Sequence, residues 1–116
     1  IDALACSFGT AHGIYKETPK LDFERLSLIH KLTGLPIVMH GGSGVNKKDY
    51  VESINRGVRK INYYSYMGRE GVIATRKYLQ EFDNITFYHE IAFNAKEAMK
   101  KDVLRALKVF TDKIID

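Results

Sequence analysis

Two patterns of apolar and polar residues alternate along the chain. One is typical of buried strands and the other of amphipathic helices. A continuous run of small apolar residues over 3–8 predicts a strand buried on both faces of a parallel sheet. From Leu21 to Leu32, apolar residues recur near helical spacing, which predicts a helix that stops at Gly34. The first unit is therefore a strand followed by a helix.

The same order repeats twice more. The apolar run 35–40 predicts a second strand, and the following segment predicts a helix that is capped by Asn46 and closes at Gly57. Residues that favour strands occupy 58–64 and are followed by a helical segment over 66–82. Strands that alternate with helices indicate an α/β fold with a parallel sheet.

A long amphipathic helix is predicted over 94–115. Its apolar stripe consists of Ala98, Val103, Leu107, Phe110 and Ile114. Three strands cannot close a barrel, because a barrel of this class needs eight strands and about 250 residues. The sheet is therefore open or part of a barrel, and about five further strands before residue 1 would complete an eight-stranded TIM-type barrel.

Composition narrows the class of protein. The 116 residues are 45% hydrophobic and 28% charged, which is typical of a soluble globular domain. The net charge of +4 is spread over several segments, which favours a solvated basic surface over a nucleic-acid interface. Cys6 is the single cysteine, and no apolar run approaches the roughly 20 residues of a membrane span. The expectation is a cytoplasmic protein that binds neither nucleic acid nor membrane.

Polar residues follow each predicted strand, where ligands of parallel α/β folds bind. His12 and His40 follow the first and second strands, and Asn62 follows the third. Two imidazoles at such an edge suit a divalent metal, zinc above all, although a catalytic zinc normally takes three protein ligands. The other two histidines fit structural roles, His30 as a packing or surface residue in the first helix and His89 as a residue before the last helix.

The glycine-rich stretch after His40 has a separate role. Gly41, Gly42 and Gly44 can turn sharply and expose consecutive N–H groups to an anion, and Ser43 adds a hydroxyl donor. The stretch runs into a predicted helix, whose N-terminus also favours negative charge. A turn needed only for geometry is the alternative for such a loop.

Four stretches together carry a resemblance: "ALACSFGTAHGIYK", "PKLDFERL", "LPIVMHGGSG" and "GVRKINYYS". They resemble the C-terminal half of the class II, metal-dependent ketose-bisphosphate aldolases, the fructose- and tagatose-bisphosphate aldolase family. The resemblance implies an eight-stranded barrel enzyme that cleaves a ketose 1,6-bisphosphate reversibly into dihydroxyacetone phosphate and glyceraldehyde 3-phosphate.

The resemblance also implies roles for individual residues. It makes His12 and His40 ligands of Zn²⁺, which would act as a Lewis acid on the substrate. It assigns substrate and phosphate binding to Gly13, Lys16, Gly41, Ser43, Asn62 and Ser65. A monovalent cation is a further candidate cofactor, and the expected partners are a phosphorylated sugar and further copies of the chain in a homo-oligomer.

Two departures from the family pattern limit these expectations. The third zinc histidine and the proton-transferring aspartate of the family come from an earlier strand, and this sequence has no such Asp-His pair. No catalytic residue is therefore assigned within it. Tyr64 stands where the family usually has a small or acidic residue, and Ser65 where it usually has threonine, so the choice of bisphosphate stays open.

Two other classes of protein also account for these features. A metal-free phosphate-binding barrel enzyme, such as a sugar-phosphate isomerase or synthase, would use the glycine loop and leave His12 and His40 as ordinary loop residues. A non-catalytic interaction module would pair its open strand edges with another chain.

Overall fold

A computed structural model describes residues 1–111 as a three-stranded parallel sheet with four helices. The elements are β1 (Leu4–Ala5), α1 (Phe23–Thr33), β2 (Ile37–Met39), α2 (Lys47–Asn55), β3 (Val58–Ile61), α3 (Ser65–Glu81) and α4 (Tyr88–Thr111). The strand order is β1-β2-β3, and both pairings are parallel. All three strands therefore end at the same edge of the sheet, here termed the carboxyl edge. The predicted α/β fold with a parallel sheet is confirmed.

The sequence also identified where two helices begin and end. Asp22 caps α1 by accepting the N–H of Arg25 at 2.9 Å, and the helix stops at Gly34, whose φ of 66° is left-handed. Asn46 caps α2 by accepting the N–H of Asp49 at 2.9 Å. The predicted stop at Gly34 and the predicted cap at Asn46 are both confirmed.

His30 is a packing residue, as its position in α1 predicted. Its Nδ1 lies 2.9 Å from the carbonyl oxygen of Leu35. Its ring also lies against Gly57, where a Cβ atom would come within 2.5 Å of the imidazole. Gly57 follows α2 with a φ of 114°, so this position needs glycine both for its backbone conformation and for contact with His30.

The core lies between the sheet and its helices. Five of its side chains are fully buried: Phe8, Leu26, Ile37, Met39 and Val58. The first strand is shorter than the predicted run 3–8, and Ala5 is exposed. In the described residues β1 has β2 as its single neighbour, and Phe8, beyond the end of the strand, is fully buried in the core.

The last helix differs from its prediction in two ways. It begins at Tyr88, so His89 lies in its first turn rather than before it. Its buried residues are Asp102 and Ala106, whereas Leu107 of the predicted stripe is 39% exposed. Ala98, Val103 and Phe110 of the stripe are half-buried, and Phe110 packs against the core, so the most buried face of α4 lies to one side of the predicted stripe. Ile114 of the predicted stripe lies outside the described residues.

A buried carboxylate lies on the packed face of α4. Asp102 is 5% exposed and accepts a hydrogen bond from the Tyr63 hydroxyl at 2.6 Å, while Arg105 forms an ion pair with it. Burial and the hydrogen bond to Asp102 raise the pKa of the Tyr63 hydroxyl well above its ordinary value. Tyr63 follows β3, so Asp102 ties α4 to the loop at the carboxyl edge.

The helices α3 and α4 pack closely against each other. Gly71 is buried in α3, and a Cβ atom there would come within 3.0 Å of the Met99 sulfur.

Among residues 1–111, none of the helices combines the length and the apolar character needed to cross a membrane.

The Asp102 cluster yields a prediction about stability. Replacing Asp102 with alanine removes the acceptor of the Tyr63 hydroxyl, and a hydrogen bond to a charged group contributes about 1.5–3 kcal/mol. Arg105 is 71% exposed, so its ion pair adds little. We expect Asp102→Ala to lower the free energy of unfolding by about 2 kcal/mol in urea titrations. Asp83→Ala, at an exposed position between α3 and α4, is the control and should leave stability unchanged.

Candidate active site

Two histidines meet at the carboxyl edge. His12 lies in the loop after β1, and His40 directly follows β2. The Nε2 atom of His12 is 3.4 Å from the Nδ1 atom of His40, and the two rings meet edge to face at 79°. Both side chains are exposed. The sequence predicted these two residues at neighbouring strand ends, and the structure brings their ring nitrogens together.

The separation of the two nitrogens fits a shared metal ion. Two ligand nitrogens bound tetrahedrally at the usual zinc–nitrogen distance lie about 3.3 Å apart. The observed 3.4 Å therefore matches two ligands of one tetrahedral zinc. Within residues 1–111, no group of three or more His, Cys, Asp or Glu side chains could hold a metal. The pair suits zinc but makes up only part of a catalytic ligand set.

The Asn62 amide lies against the His40 imidazole. Its amide nitrogen lies 3.0 Å from His40 Nδ1 and 3.3 Å from Nε2, and its amide oxygen accepts a hydrogen bond from the Lys60 ammonium. An ammonium group only donates, so Lys60 identifies the amide oxygen and directs the NH₂ group toward His40. A ring nitrogen that accepts this N–H uses its one lone pair in the bond, so a metal bound at that nitrogen would displace the amide.

The loops that carry the two histidines touch each other. Gly41 has a φ of 63°, and a Cβ atom there would come within 2.2 Å of the Ala11 carbonyl oxygen. Tyr15 joins the same two loops, because its hydroxyl accepts the Ala11 N–H at 2.9 Å and donates to the Gly41 carbonyl at 2.8 Å. Only glycine, which has no Cβ atom, therefore fits at position 41.

The glycine loop turns its carbonyl groups toward tyrosines. Besides the bond from Tyr15 to Gly41, the Tyr50 hydroxyl donates to the Gly42 carbonyl. Burial raises the pKa of Tyr50 to about 12, so this hydroxyl stays protonated and remains a donor at neutral pH. In the part of the chain that the structure describes, the N–H groups of Gly41, Gly42 and Ser43 donate no hydrogen bond, whereas that of Gly44 faces the Tyr50 oxygen. The loop thus presents unpaired donors.

Ser43 connects the glycine loop to the loop after β3. It is 3% exposed, and its hydroxyl oxygen accepts the backbone N–H of Tyr64 at 2.8 Å. Tyr64 precedes α3 and makes no side-chain cap of that helix. Because the Ser43 oxygen is the acceptor in this bond, its own hydrogen atom stays available for donation. Ser43 is thus a buried residue and not part of an exposed turn.

Of the remaining predicted residues, Gly13 and Lys16 follow β1 and Ser65 follows β3. Gly13 has a φ of 94° with open space around it, Lys16 is exposed, and Ser65 is the first residue of α3. Within residues 1–111, no hydrogen bond joins any of these three to His12 or His40.

Three residues of the site were not predicted from the sequence: Tyr15, Tyr50 and Lys60. Lys60 lies two residues before Asn62, so strand periodicity offered a sign that the two share a face. No comparable sign marked the tyrosines, because their partners are backbone carbonyls that are distant in sequence.

The chain is similar to known proteins in sequence and in fold. The sequence profile of the family described as "Fructose-bisphosphate aldolase class-II" matches residues 1–113. The YdjI aldolase from Escherichia coli K12 is 27% identical with a TM-score of 0.79, covering 94% of this chain and 39% of that one. A "putative fructose-1,6-biphosphate aldolase" from Coccidioides immitis is 27% identical with a TM-score of 0.83, covering 96% and 38%. The chain spans about two fifths of the length of these structures.

The contact between the histidine loops can be tested at Gly41. Gly34 is a matched control, because its φ of 66° is close to the 63° of Gly41 and a Cβ atom there meets nothing within 4 Å. We expect Gly34→Ala to cost about 1–2 kcal/mol of stability from its left-handed backbone alone. Gly41→Ala should cost more in the same urea titrations, because the new methyl group pushes Ala11 away. Equal losses in the two variants would contradict the observed loop contact.

Proposed function

The chain belongs to the class II fructose-bisphosphate aldolase family, and from that premise we propose that the full-length protein cleaves a ketose 1,6-bisphosphate reversibly. Its products would be dihydroxyacetone phosphate and glyceraldehyde 3-phosphate. Fructose and tagatose bisphosphates are the candidate substrates. The same proposal includes a homo-oligomeric enzyme in the cytoplasm that binds neither nucleic acid nor membrane.

We propose further that residues 1–116 form the C-terminal portion of a single eight-stranded barrel domain. The three parallel strands in the order β1-β2-β3, each followed by a helix, support this proposal. The similarity to two aldolases of which the chain covers 38% and 39% also supports it. In such a barrel the carboxyl edge forms part of the active-site face.

The observation that carries the proposal is the 3.4 Å separation of His12 Nε2 and His40 Nδ1. In the proposed site these two nitrogens bind one Zn²⁺, and a third ligand comes from outside the residues described. When bound, a divalent metal supplies Lewis acidity toward the substrate carbonyl. Asn62 lies within hydrogen-bond distance of the same His40 nitrogen, so metal binding there would displace its amide N–H.

The chain's own residues would bind and orient the substrate. The unpaired N–H groups of Gly41, Gly42 and Ser43, together with the Ser43 hydroxyl hydrogen, form a set of donors suited to a phosphate group. Asn62 has an amide group at the histidine pair, where a substrate hydroxyl would be held. Phosphate bound at this loop would hold the reacting carbons near the metal, which is how positioning accelerates a reaction.

The remaining assigned residues have a weaker basis in geometry. Gly13, Lys16 and Ser65 keep their proposed substrate roles on the basis of the family resemblance and of their loops after β1 and β3. Neither the proton-transferring group nor the third metal ligand is assigned to this chain. A monovalent cation is retained as a proposed second cofactor.

The metal site is tested by removing each histidine. In the full-length protein, His12→Ala or His40→Ala should remove most bound zinc and nearly all cleavage activity, since each deletes a direct ligand. Zinc content is measured by atomic emission on protein purified without chelators. His89→Ala, exposed on α4, is the control and should keep both zinc and activity. Wild-type zinc content in both site variants would show that the two imidazoles only hydrogen-bond to each other.

The phosphate role of Ser43 is tested separately from the metal. Ser43→Ala removes a charge-assisted hydrogen bond of roughly 1.5–3 kcal/mol, which corresponds to about tenfold to a hundredfold weaker apparent substrate binding. Steady-state kinetics should show a raised KM with zinc content retained.

A buried serine outside the site provides the matched control. Ser53 is fully buried, and its hydroxyl donates to the Asp49 carbonyl at 2.7 Å within α2. Ser53→Ala should leave KM unchanged. Wild-type kinetics in Ser43→Ala would remove Ser43 from the phosphate site, and loss of zinc would mean that the loop chiefly holds His40.

A further inference from the structure

Tyr15 bridges the two loops that carry the histidines with a single hydroxyl group. The hydroxyl accepts the N–H of Ala11, the residue before His12, at 2.9 Å. It donates to the carbonyl of Gly41, the residue after His40, at 2.8 Å. Both bonds have normal lengths, and each ends one residue away from an imidazole. We propose that Tyr15 is a positioning residue that sets the separation of His12 and His40 and thereby the affinity of the site for metal.

Strand pairing alone cannot position His12. The ladder between β1 and β2 pairs Leu4 with Ile37 and Ala5 with Val38. His40 directly follows the last residue of β2, so the sheet holds it closely. His12 lies seven residues beyond Ala5, in a loop without regular structure. Another contact has to fix the His12 loop, and the bridge through Tyr15 is that contact.

The backbone contact at Gly41 supports this role. The Ala11 carbonyl lies so close to Gly41 that a Cβ atom there would come within 2.2 Å of it. Tyr15 therefore links two segments that already touch, and it satisfies one donor and one acceptor at that contact. Its ring also packs against the hydrophobic core. A rigid ring with its hydroxyl between the two loops restricts how far they can separate.

Tyr50 offers a matched comparison. Its hydroxyl donates to Gly42, the neighbour of Gly41, so it holds the same glycine loop. Tyr50 belongs to α2, however, and makes no hydrogen bond to the loop of His12. A tyrosine-to-phenylalanine change at either position keeps the ring and deletes one hydroxyl group, but only the change at Tyr15 disconnects the two histidine loops.

The inference rests on the proposed metal site, and zinc affinity tests both. Full-length Tyr15→Phe and Tyr50→Phe proteins are stripped of metal and titrated with Zn²⁺ in competition with a chromophoric chelator. Changes in the groups that orient metal ligands typically cost tenfold to a hundredfold in metal affinity, and we expect about tenfold for Tyr15→Phe because it acts through backbone. Tyr50→Phe leaves the loop of His12 joined to Gly41, so it should lose much less zinc affinity than Tyr15→Phe.

Two further measurements separate positioning from general stability. The visible absorption of the Co²⁺-loaded protein reports ligand geometry, and it should change in Tyr15→Phe but not in Tyr50→Phe. Thermal unfolding of the metal-free proteins should show the larger loss for Tyr50→Phe, whose hydroxyl is buried. A merely structural role for Tyr15 would lower the unfolding temperature without changing the Co²⁺ spectrum.

Each outcome decides the inference. Wild-type zinc affinity and an unchanged Co²⁺ spectrum in Tyr15→Phe overturn it, and so does an equal loss of affinity in Tyr50→Phe. If His12→Ala also keeps wild-type zinc affinity, the proposed metal site fails and the inference fails with it. If the histidine variants lose zinc while Tyr15→Phe does not, the metal site stands and the role of Tyr15 is wrong.

Discussion

Parallel pairing of β2 with strands on both sides is the constraint on which the rest of the structure depends. Because β1, β2 and β3 run in the same direction, the loops that follow them start at one edge. The fully buried Ile37 and Met39 fix β2 in the core, and His40 follows directly from it. The position of His40 is thus set by the most buried strand of the sheet. Loop contacts have to bring His12, after β1, and the loop after β3 close to His40.

Those loop contacts use backbone groups that tyrosine and serine hydroxyls satisfy. Tyr15 joins the loop of His12 to Gly41, and Ser43 joins the glycine loop to the N–H of Tyr64. Asp102 in α4 holds Tyr63 in the same loop as Tyr64. A loop of three glycines loses much conformational entropy on folding, so these hydrogen bonds offset a real cost. The buried carboxylate on a surface helix therefore contributes to the order of the site.

The sequence predicted most of the fold because its elements are marked by local chemistry. The Asn46 side chain suits the start of a helix, and it caps α2. Gly34 has no side chain, which suits the end of a helix, and α1 stops there. The orientation of α4 was not predictable, because apolar spacing placed Leu107 inside while a polar contact places Asp102 there. That contact joins residues 39 positions apart, and single-sequence periodicity carries no information about it.

The candidate site was predictable to a similar degree. His12, His40 and Asn62 were expected at neighbouring strand ends, and their nitrogen atoms do meet. Their mutual geometry depends on Tyr15 and Lys60, whose partners are a backbone carbonyl and an amide oxygen. Tyr15 and Tyr50 take the carbonyls of Gly41 and Gly42, so that loop keeps unpaired N–H donors beside the two imidazoles. One edge of the sheet therefore places backbone donors next to a pair of histidines, and the order of both depends on hydroxyl groups from outside the strands.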